Sequence, residues 1–310
     1  MAKVVFRADA SPAIGYGHYI RSLALADMLR GAFDCTMVTS SPTDGQRSQA
    51  DGICPLVALP ADESRFELFL RTLKGDETVV LDNYFYTTDY QREIKSRGCR
   101  LVCIDDMHNI HYVADAVINH GFVDADAFSR EPHTRLCLGP QWALLRRPFL
   151  QERRVRLPRR SGAMKAAVCF GGSDPLGLGE RFESALREMD SVGEVVRVGG
   201  MGSRYSAQDM AELIRGCDIA VVSMSTVCLE ALACGAAVAA GWYADNQKEG
   251  YEALTARGWI AGLGDLTRTF PSPAELRRIV ETAAPAKDTP FGEGIRERYL
   301  ELFKNLTYGN

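Results

Sequence analysis

The chain has 310 residues, 46% of them hydrophobic and 25% charged, with a formal net charge of -4. That length exceeds one ordinary core and suits two domains of about 150 residues each. The mild acidity excludes a broad nucleic-acid surface, which needs a basic excess, and no apolar run approaches the ~20 residues that span a bilayer.

The first half alternates strand and helix patterns. Residues 4–8 read as a strand, 19–31 as a helix, 35–39 as a strand, 64–73 as a helix, 79–81 as a buried strand, 89–97 as a helix, and 100–104 and 116–119 as strands. Such alternation means a parallel sheet with helices on both faces, since parallel strands need crossovers. Ligands collect at the carboxyl ends of such strands. His18, Tyr84, Asp105, Asp106 and Asn119 all follow strand ends and are candidates to line one crevice.

Between the first strand and the first helix lies Gly15-Tyr16-Gly17-His18. The glycines let the backbone approach a ligand closely, and the helix start favours negative charge. A Gly-x-Gly turn alone describes many strand-to-helix connections, so its meaning depends on the rest of the chain.

After Phe149 the composition shifts. Residues 152–160 are rich in arginine, include Pro158 and lack an apolar period, which suits a linker. A second series follows: strands at 165–170, 195–198, 219–222 and 237–240, and helices at 175–189, 207–215, 226–234, 246–258, 274–283 and 294–305, with Gly235 as a helix stop.

Three strand ends in this half are small or polar. Gly171-Gly172-Ser173-Asp174 would let a phosphate or sugar approach the backbone. Ser225 and Thr226 open a helix where free N–H groups and hydroxyls can hold a diphosphate, and Glu230, on that helix, can accept hydrogen bonds from a ribose diol. Asn246 and Gln247 supply amides for a neutral sugar. Taken singly, Thr226 reads as an N-cap and Glu230 as a solvated acid.

Nine cysteines are scattered, mostly in apolar runs, with no CxxC pair, so neither a disulfide framework nor structural zinc is expected. A strand pattern follows Met1 almost directly, without a secretory-type segment, which predicts a cytoplasmic protein.

The segments Phe6-Arg7-Ala8-Asp9, Gly15-Tyr16-Gly17-His18 with Arg21, Asp82-Asn83-Tyr84, Ile104-Asp105-Asp106, Ile118-Asn119, Leu138-Gly139-Pro140, Ala143-Leu144-Leu145-Arg146, Gly171-Gly172-Ser173-Asp174, Glu230-Ala231 and Asp245-Asn246-Gln247 follow one another along the chain. In that order the chain resembles the UDP-sugar hydrolases of pseudaminic acid biosynthesis, the PseG type, relatives of the MurG glycosyltransferases. The resemblance runs from Lys3 to about Gly258 and is most distinctive in the first half.

It implies an α/β chain of the GT-B fold, two Rossmann-like domains whose parallel sheets face an interdomain cleft. Residues 1–150 would carry the histidine and the sugar side, 151–162 the linker, 163–292 the UDP side, and 293–310 a helix returning to the first domain. It implies hydrolysis of UDP-2,4-diacetamido-2,4,6-trideoxy-β-L-altropyranose to UDP and free sugar, with no cofactor and no metal. The partners would then be that UDP-sugar and UDP, with no nucleic acid and no stable membrane association.

His18 matches the family's proposed base, a role an imidazole with an ordinary pKa near ~6.5 can fill, and Asp9 is a candidate charged partner for it. Gly15, Gly17, Arg21, Tyr84 and Asn119 would serve the sugar side. Gly171, Gly172, Ser173, Ser225, Thr226 and Glu230 would serve the nucleotide side, and Asn246 and Gln247 would offer amides to the sugar. The chain departs from the family pattern at His120 and at residues 262–273, which leaves open a related nucleotide sugar or a glycosyltransferase using a UDP-amino sugar. The polar stretch 40–51 favours the hydrolase, because transferases acting on lipid-linked acceptors carry an apolar and basic patch in that half.

Overall fold

The computed structural model describes residues 1–11, 13–150, 162–171, 174–199, 205–292 and 294–309. The expected linker at 151–162 lies outside them apart from Gly162. The chain divides into two compact units, Met1–Arg146 with Gly294–Asn310, and Arg147–Glu293.

In chain order the first unit contains β1 (Lys3–Arg7), α1 (Gly17–Leu29), β2 (Asp34–Ser40), α2 (Asp44–Ala50), β3 (Leu56–Leu59), α3 (Ser64–Thr72), β4 (Thr78–Leu81), α4 (Thr88–Ser96), β5 (Arg100–Ile104), β6 (His111–Tyr112), β7 (Ala116–Asn119), β8 (Ser129–Arg130) and β9 (Arg135–Leu138). Seven of these strands form one parallel sheet in the order β3-β2-β1-β4-β5-β7-β9. β4 and β7 are buried at every position, as helices on both faces of a parallel sheet require. One side packs Phe69, Leu70, Ile94, Leu101 and Val117 into a common cluster. The strand order reverses direction between β1 and β4. At such a switch point the neighbouring loops diverge and leave a crevice at the carboxyl ends.

The second unit contains β10 (Met164–Cys169), α5 (Leu178–Arg187), β11 (Val192–Arg197), α6 (Ala207–Gly216), β12 (Ile219–Ser223), α7 (Thr226–Ala233), β13 (Ala237–Trp242), α8 (Asp245–Ala256), β14 (Ala261–Asp265) and α9 (Pro273–Thr282). Its parallel sheet has the order β11-β10-β12-β13-β14, with the switch point between β10 and β12. Phe170 stacks on Phe182 at 4.9 Å, and Phe270 closes on Phe182 at 4.5 Å.

The last helix, α10 (Ile295–Tyr308), packs within the first unit against α1. Its buried Tyr299 sets its ring edge-on to Trp142 at 5.3 Å and donates its hydroxyl to the Trp142 carbonyl, while Phe303 meets Phe33 at 6.0 Å.

Several elements differ from the sequence expectation. α1 starts at Gly17 rather than near Tyr19, so His18 lies inside its first turn. α5 starts at Leu178 rather than 175, because Gly177 takes a left-handed φ of 60° and the Asp174 carboxylate caps the N–H groups of Leu178 and Gly179 at 2.9 and 2.8 Å. The polar stretch 40–51 folds as α2 through a capping box between Thr43 and Gln46. Edge strand β3, the short β9, and β14 with its two glycines lack the sustained apolar alternation that reveals a strand.

Removing the Phe303 ring leaves a cavity under α10. We expect Phe303→Ala to destabilise the first unit by about 3–5 kcal/mol, against a change within about 0.5 kcal/mol for the exposed Lys304→Ala, both read from urea unfolding.

Candidate active site

His18, Arg21 and Ser22 sit at positions i, i+3 and i+4 of α1, so one face of the helix carries all three. That face meets Asp82, the first residue beyond β4, at the switch point of the first sheet. Arg21 grips the carboxylate with two nitrogens, Nε to Oδ2 at 2.7 Å and Nη2 to Oδ1 at 2.6 Å. Ser22 Oγ donates to Oδ2 at 3.1 Å, and His18 Nδ1 lies 2.7 Å from Oδ1. Asp82 has no exposed surface.

Burial alone would raise the Asp82 carboxyl, but Arg21 and His18 outweigh it and hold it below its ordinary value. Asp82 is therefore an ionised acceptor, and the His18 tautomer follows. Nδ1–H donates to the carboxylate, so the basic lone pair is on Nε2. Arg21 Nη2 lies 3.2 Å from His18 Nδ1 and donates to Asp82; with Nδ1 protonated, both nitrogens are donors and no bond forms between them.

Arg21 has a second carboxylate. Its Nη1 donates to Asp106 Oδ2 at 2.6 Å, and the Tyr84 hydroxyl donates to the same oxygen at 2.9 Å. Burial pushes the Asp106 carboxyl up, and Arg21 and His120 more than reverse it, leaving it well below the usual range. The Tyr84 ring stands edge-on to His18 at 4.5 Å and 83°. Asp105 and Asp106 diverge: Asp105 accepts the His108 backbone N–H, and burial raises its carboxyl.

Asp9 is not the partner of His18. It pairs with the buried Arg7 at 2.9 Å, accepts the Ser40 N–H at 2.7 Å, and its backbone is clamped on both sides by the Asn83 amide at 2.7 and 3.1 Å. This pairing joins the ends of β1 and β4 and holds the switch point in shape. Asn119, the last residue of β7, is buried; its Oδ1 accepts the Gly121 N–H at 2.7 Å, while Nδ2 has no partner among the described residues. Gly15, at φ 85°, closes a turn through its N–H to the Ser11 carbonyl at 2.8 Å. A Cβ at Gly17 would meet nothing within 4 Å.

In the second unit the switch point gathers different chemistry. Gly171 takes φ 89°, and its carbonyl lies so close to Gly199 that a Cβ there would approach it to 2.6 Å. Gly172 and Ser173 lie outside the described residues. Ser225, the N-cap of α7, turns its hydroxyl to Ser223 Oγ at 3.0 Å and leaves the first-turn amides without a side-chain cap. Thr226 opens that helix and Glu230 lies one turn on, only 1% exposed. Asn246 and Gln247 lie in the first turn of α8; Gln247 Oε1 accepts the Tyr243 N–H at 3.0 Å, and the Tyr243 hydroxyl donates to the Phe170 carbonyl at 3.1 Å.

The sequence reading missed Asp82, Ser22 and Asn83 as site residues, and it named Asp106 only as a candidate crevice residue without its partner Arg21. The signal for Asp82 was present: an ionisable residue directly after the apolar run Val79 to Leu81, 61 positions from the arginine that neutralises it. The described residues contain no group of three or more metal-ligating acidic, histidine or cysteine side chains, and no helix long and apolar enough to cross a membrane. All nine cysteines are free.

No family model matches the chain. Over its full length it superposes on MurG of Acinetobacter baumannii with a TM-score of 0.63 at 13% identity, covering 98% of this chain and 100% of the other. The chain has the GT-B fold. Other GT-B-like neighbours are a putative UDP-N-acetylglucosamine 2-epimerase of Listeria monocytogenes, with a TM-score of 0.60, 11% identity and coverage of 99% and 97%, and HepE of Anabaena in complex with UDP and glucose, at 0.54, 13%, 99% and 96%. Among sequences, an uncharacterised protein of Methanocaldococcus jannaschii is 23% identical over 280 residues, 81% of this chain and 57% of that protein. The UDP-2,4-diacetamido-2,4,6-trideoxy-β-L-altropyranose hydrolase of Campylobacter jejuni is 28% identical over 191 residues, 59% of this chain and 65% of that enzyme. The matches thus span about three-fifths of these relatives' lengths.

Two outcomes test the buried charge network of this GT-B chain. Asp82→Ala strands Arg21 beside an empty carboxylate position and is expected to cost about 3–5 kcal/mol, against under about 1 kcal/mol for Tyr84→Phe at a half-exposed hydroxyl. Because the folded carboxyls of Asp82 and Asp106 lie below their ordinary value of 3.8, their stabilisation is complete above that value and is lost as pH falls through the folded one. Unfolding free energy should fall by about 1 kcal/mol per carboxylate between pH 6 and pH 3, with a smaller fall in Asp106→Asn, as read from urea midpoints.

Proposed function

We propose that the chain is a nucleotide-sugar hydrolase that cleaves a UDP-activated diacetamido-trideoxy hexose, UDP-2,4-diacetamido-2,4,6-trideoxy-β-L-altropyranose, into UDP and free sugar. The observation that carries this reading is the Asp82–His18 contact at 2.7 Å, which leaves Nε2 as a base at the carboxyl end of the first sheet. The similarity to the C. jejuni hydrolase supports it. Water attacks the anomeric carbon as the bond from that carbon to the β-phosphate oxygen breaks, and the bonding pair leaves with UDP. The water's proton passes to His18 Nε2, and the ionised Asp82 stabilises the resulting imidazolium. Tyr84, Asn119 and Arg21, with the turn at Gly15 and Gly17, would hold the sugar.

The nucleotide would be held by the second unit. The uncapped first turn of α7 behind Ser225 and Thr226 offers N–H groups to the diphosphate, each worth ~3 kcal/mol where charge develops in a transition state, and the left-handed turn at Gly171 lets backbone come close to it. Asn246 and Gln247 would contribute amides, and Glu230 a ribose contact. The pathway would be pseudaminic acid biosynthesis in the cytoplasm. A glycosyltransferase reading is favoured by one observation, the end-to-end superposition on MurG, and differs only in an acceptor hydroxyl taking the place of water.

UDP release from the altropyranose substrate decides between them. Release without acceptor, falling by about 10²–10⁴-fold in His18→Ala and substantially in Asp82→Asn, is expected. Undiminished release in His18→Ala would remove His18 from the chemistry, and release only on adding an acceptor would assign a transferase.

A further inference from the structure

His120 is used by no step above, yet it stands at the site. It is the first residue past β7, whose neighbour β5 ends at Ile104, just before Asp105 and Asp106. The register pairs Ile104 with Ile118, and the Asp105 N–H donates to the Ile118 carbonyl at 3.0 Å, so the two strand ends lie side by side. The His120 Nδ1 atom is buried and has no hydrogen-bond partner among the described residues, and neither has Nδ2 of its neighbour Asn119. Histidine nitrogens so placed cost free energy unless something pairs with them part of the time.

The charged groups acting on the ring are Asp106 from the end of β5, Arg21 from α1 and Asp82 from the end of β4. Burial and Arg21 disfavour the imidazolium while the two carboxylates favour it, and the balance leaves the ring below the ordinary histidine value of 6.5. On the β9 side the contact is the uncharged Gly139 N–H on the Asn119 carbonyl, at 2.9 Å.

We propose that His120 is a positioning residue of the His18 site, acting through Asp106: neutral, it leaves Asp106 to Arg21 and Tyr84; protonated, it competes for that carboxylate and slackens the Arg21–Asp82–His18 chain. Asp106 is where the competition takes place, because one oxygen already serves both Arg21 at 2.6 Å and Tyr84 at 2.9 Å. An imidazolium at the neighbouring strand end draws the carboxylate away from both. Arg21 then grips Asp82 alone, Tyr84 loses the bond that sets its ring against His18, and the base loses its orientation. The site is thereby disabled by acid at a group other than the base itself. This rests on the reading of His18 as the base, but its structural part does not.

Long-range proton–nitrogen spectra of the five histidine rings separate the two. In the native chain, His120 is expected to titrate at lower pH than an ordinary histidine, and the His18 ring signals to show a second step at the His120 midpoint. Asp106→Asn should move the His120 midpoint further down, since it removes the main favourable charge, and His120→Gln should abolish the second His18 step. A His120 midpoint unmoved in Asp106→Asn, or a His18 curve identical with and without His120, overturns the proposal whatever the enzyme's substrate. If His120→Gln does not fold, the native and Asp106→Asn curves still decide. In UDP release, the acid limb of kcat/KM should be steeper in the native chain than in His120→Gln; equal steepness counts against His120, whereas absence of release altogether bears only on the assigned reaction.

Discussion

A carboxylate with no exposed surface is tolerable only if its charge is met on every side, and the first unit is organised around meeting that need at Asp82. The helix that follows β1 supplies a guanidinium, a hydroxyl and an imidazole from one face. The imidazole is thereby given a fixed tautomer and a fixed direction. Arg21 has N–H groups to spare on Nη1, which bring in Asp106, and Asp106 brings in Tyr84. A single electrostatic requirement thus draws α1, β4 and β5 to one point. The clamp between Asp9 and Asn83 ties the ends of β1 and β4 together beside that same point.

The two sheets obey one topological rule with contrasting chemistry. Both present their switch points at the carboxyl ends of parallel strands. In the first, ionised side chains dominate, suited to moving a proton. In the second, glycine backbone, serine hydroxyls and an uncapped helix start dominate, suited to receiving an anion by dipoles rather than by counter-charge. Within the second unit Glu230 is an exception, an acid almost wholly covered on α7. Its burial follows from α7 lying against the sheet with every position from Val227 to Ala233 covered.

Much of the fold is legible in the sequence because buried parallel strands are continuous apolar runs. Val79 to Leu81 and Val117 to Ile118 announce themselves in that way, and helices with one apolar face alternate with them. Elements whose stability comes from elsewhere are illegible. β3 lies at the sheet edge with Val57 partly exposed, and α2 depends on a capping box in a polar stretch. β14 is held by its register with β13 despite two glycines. His120 follows β7, whose register with β5 sets it beside the strand end that carries Asp106.

By itself the sequence determined the alternating α/β organisation, the residue types at each strand end and the histidine at the first helix start, because these depend on local periodicity and composition. Only the tertiary structure decided which acid meets which base. It gave Asp82 rather than Asp9 to His18, and Asp106 rather than Asp105 to Arg21, through separations of 64 and 85 residues. Pairing of charges is set by which strands become neighbours and how a helix face turns toward them. No local pattern encodes that choice, whereas burial of an unpaired charge makes any wrong choice too costly to fold.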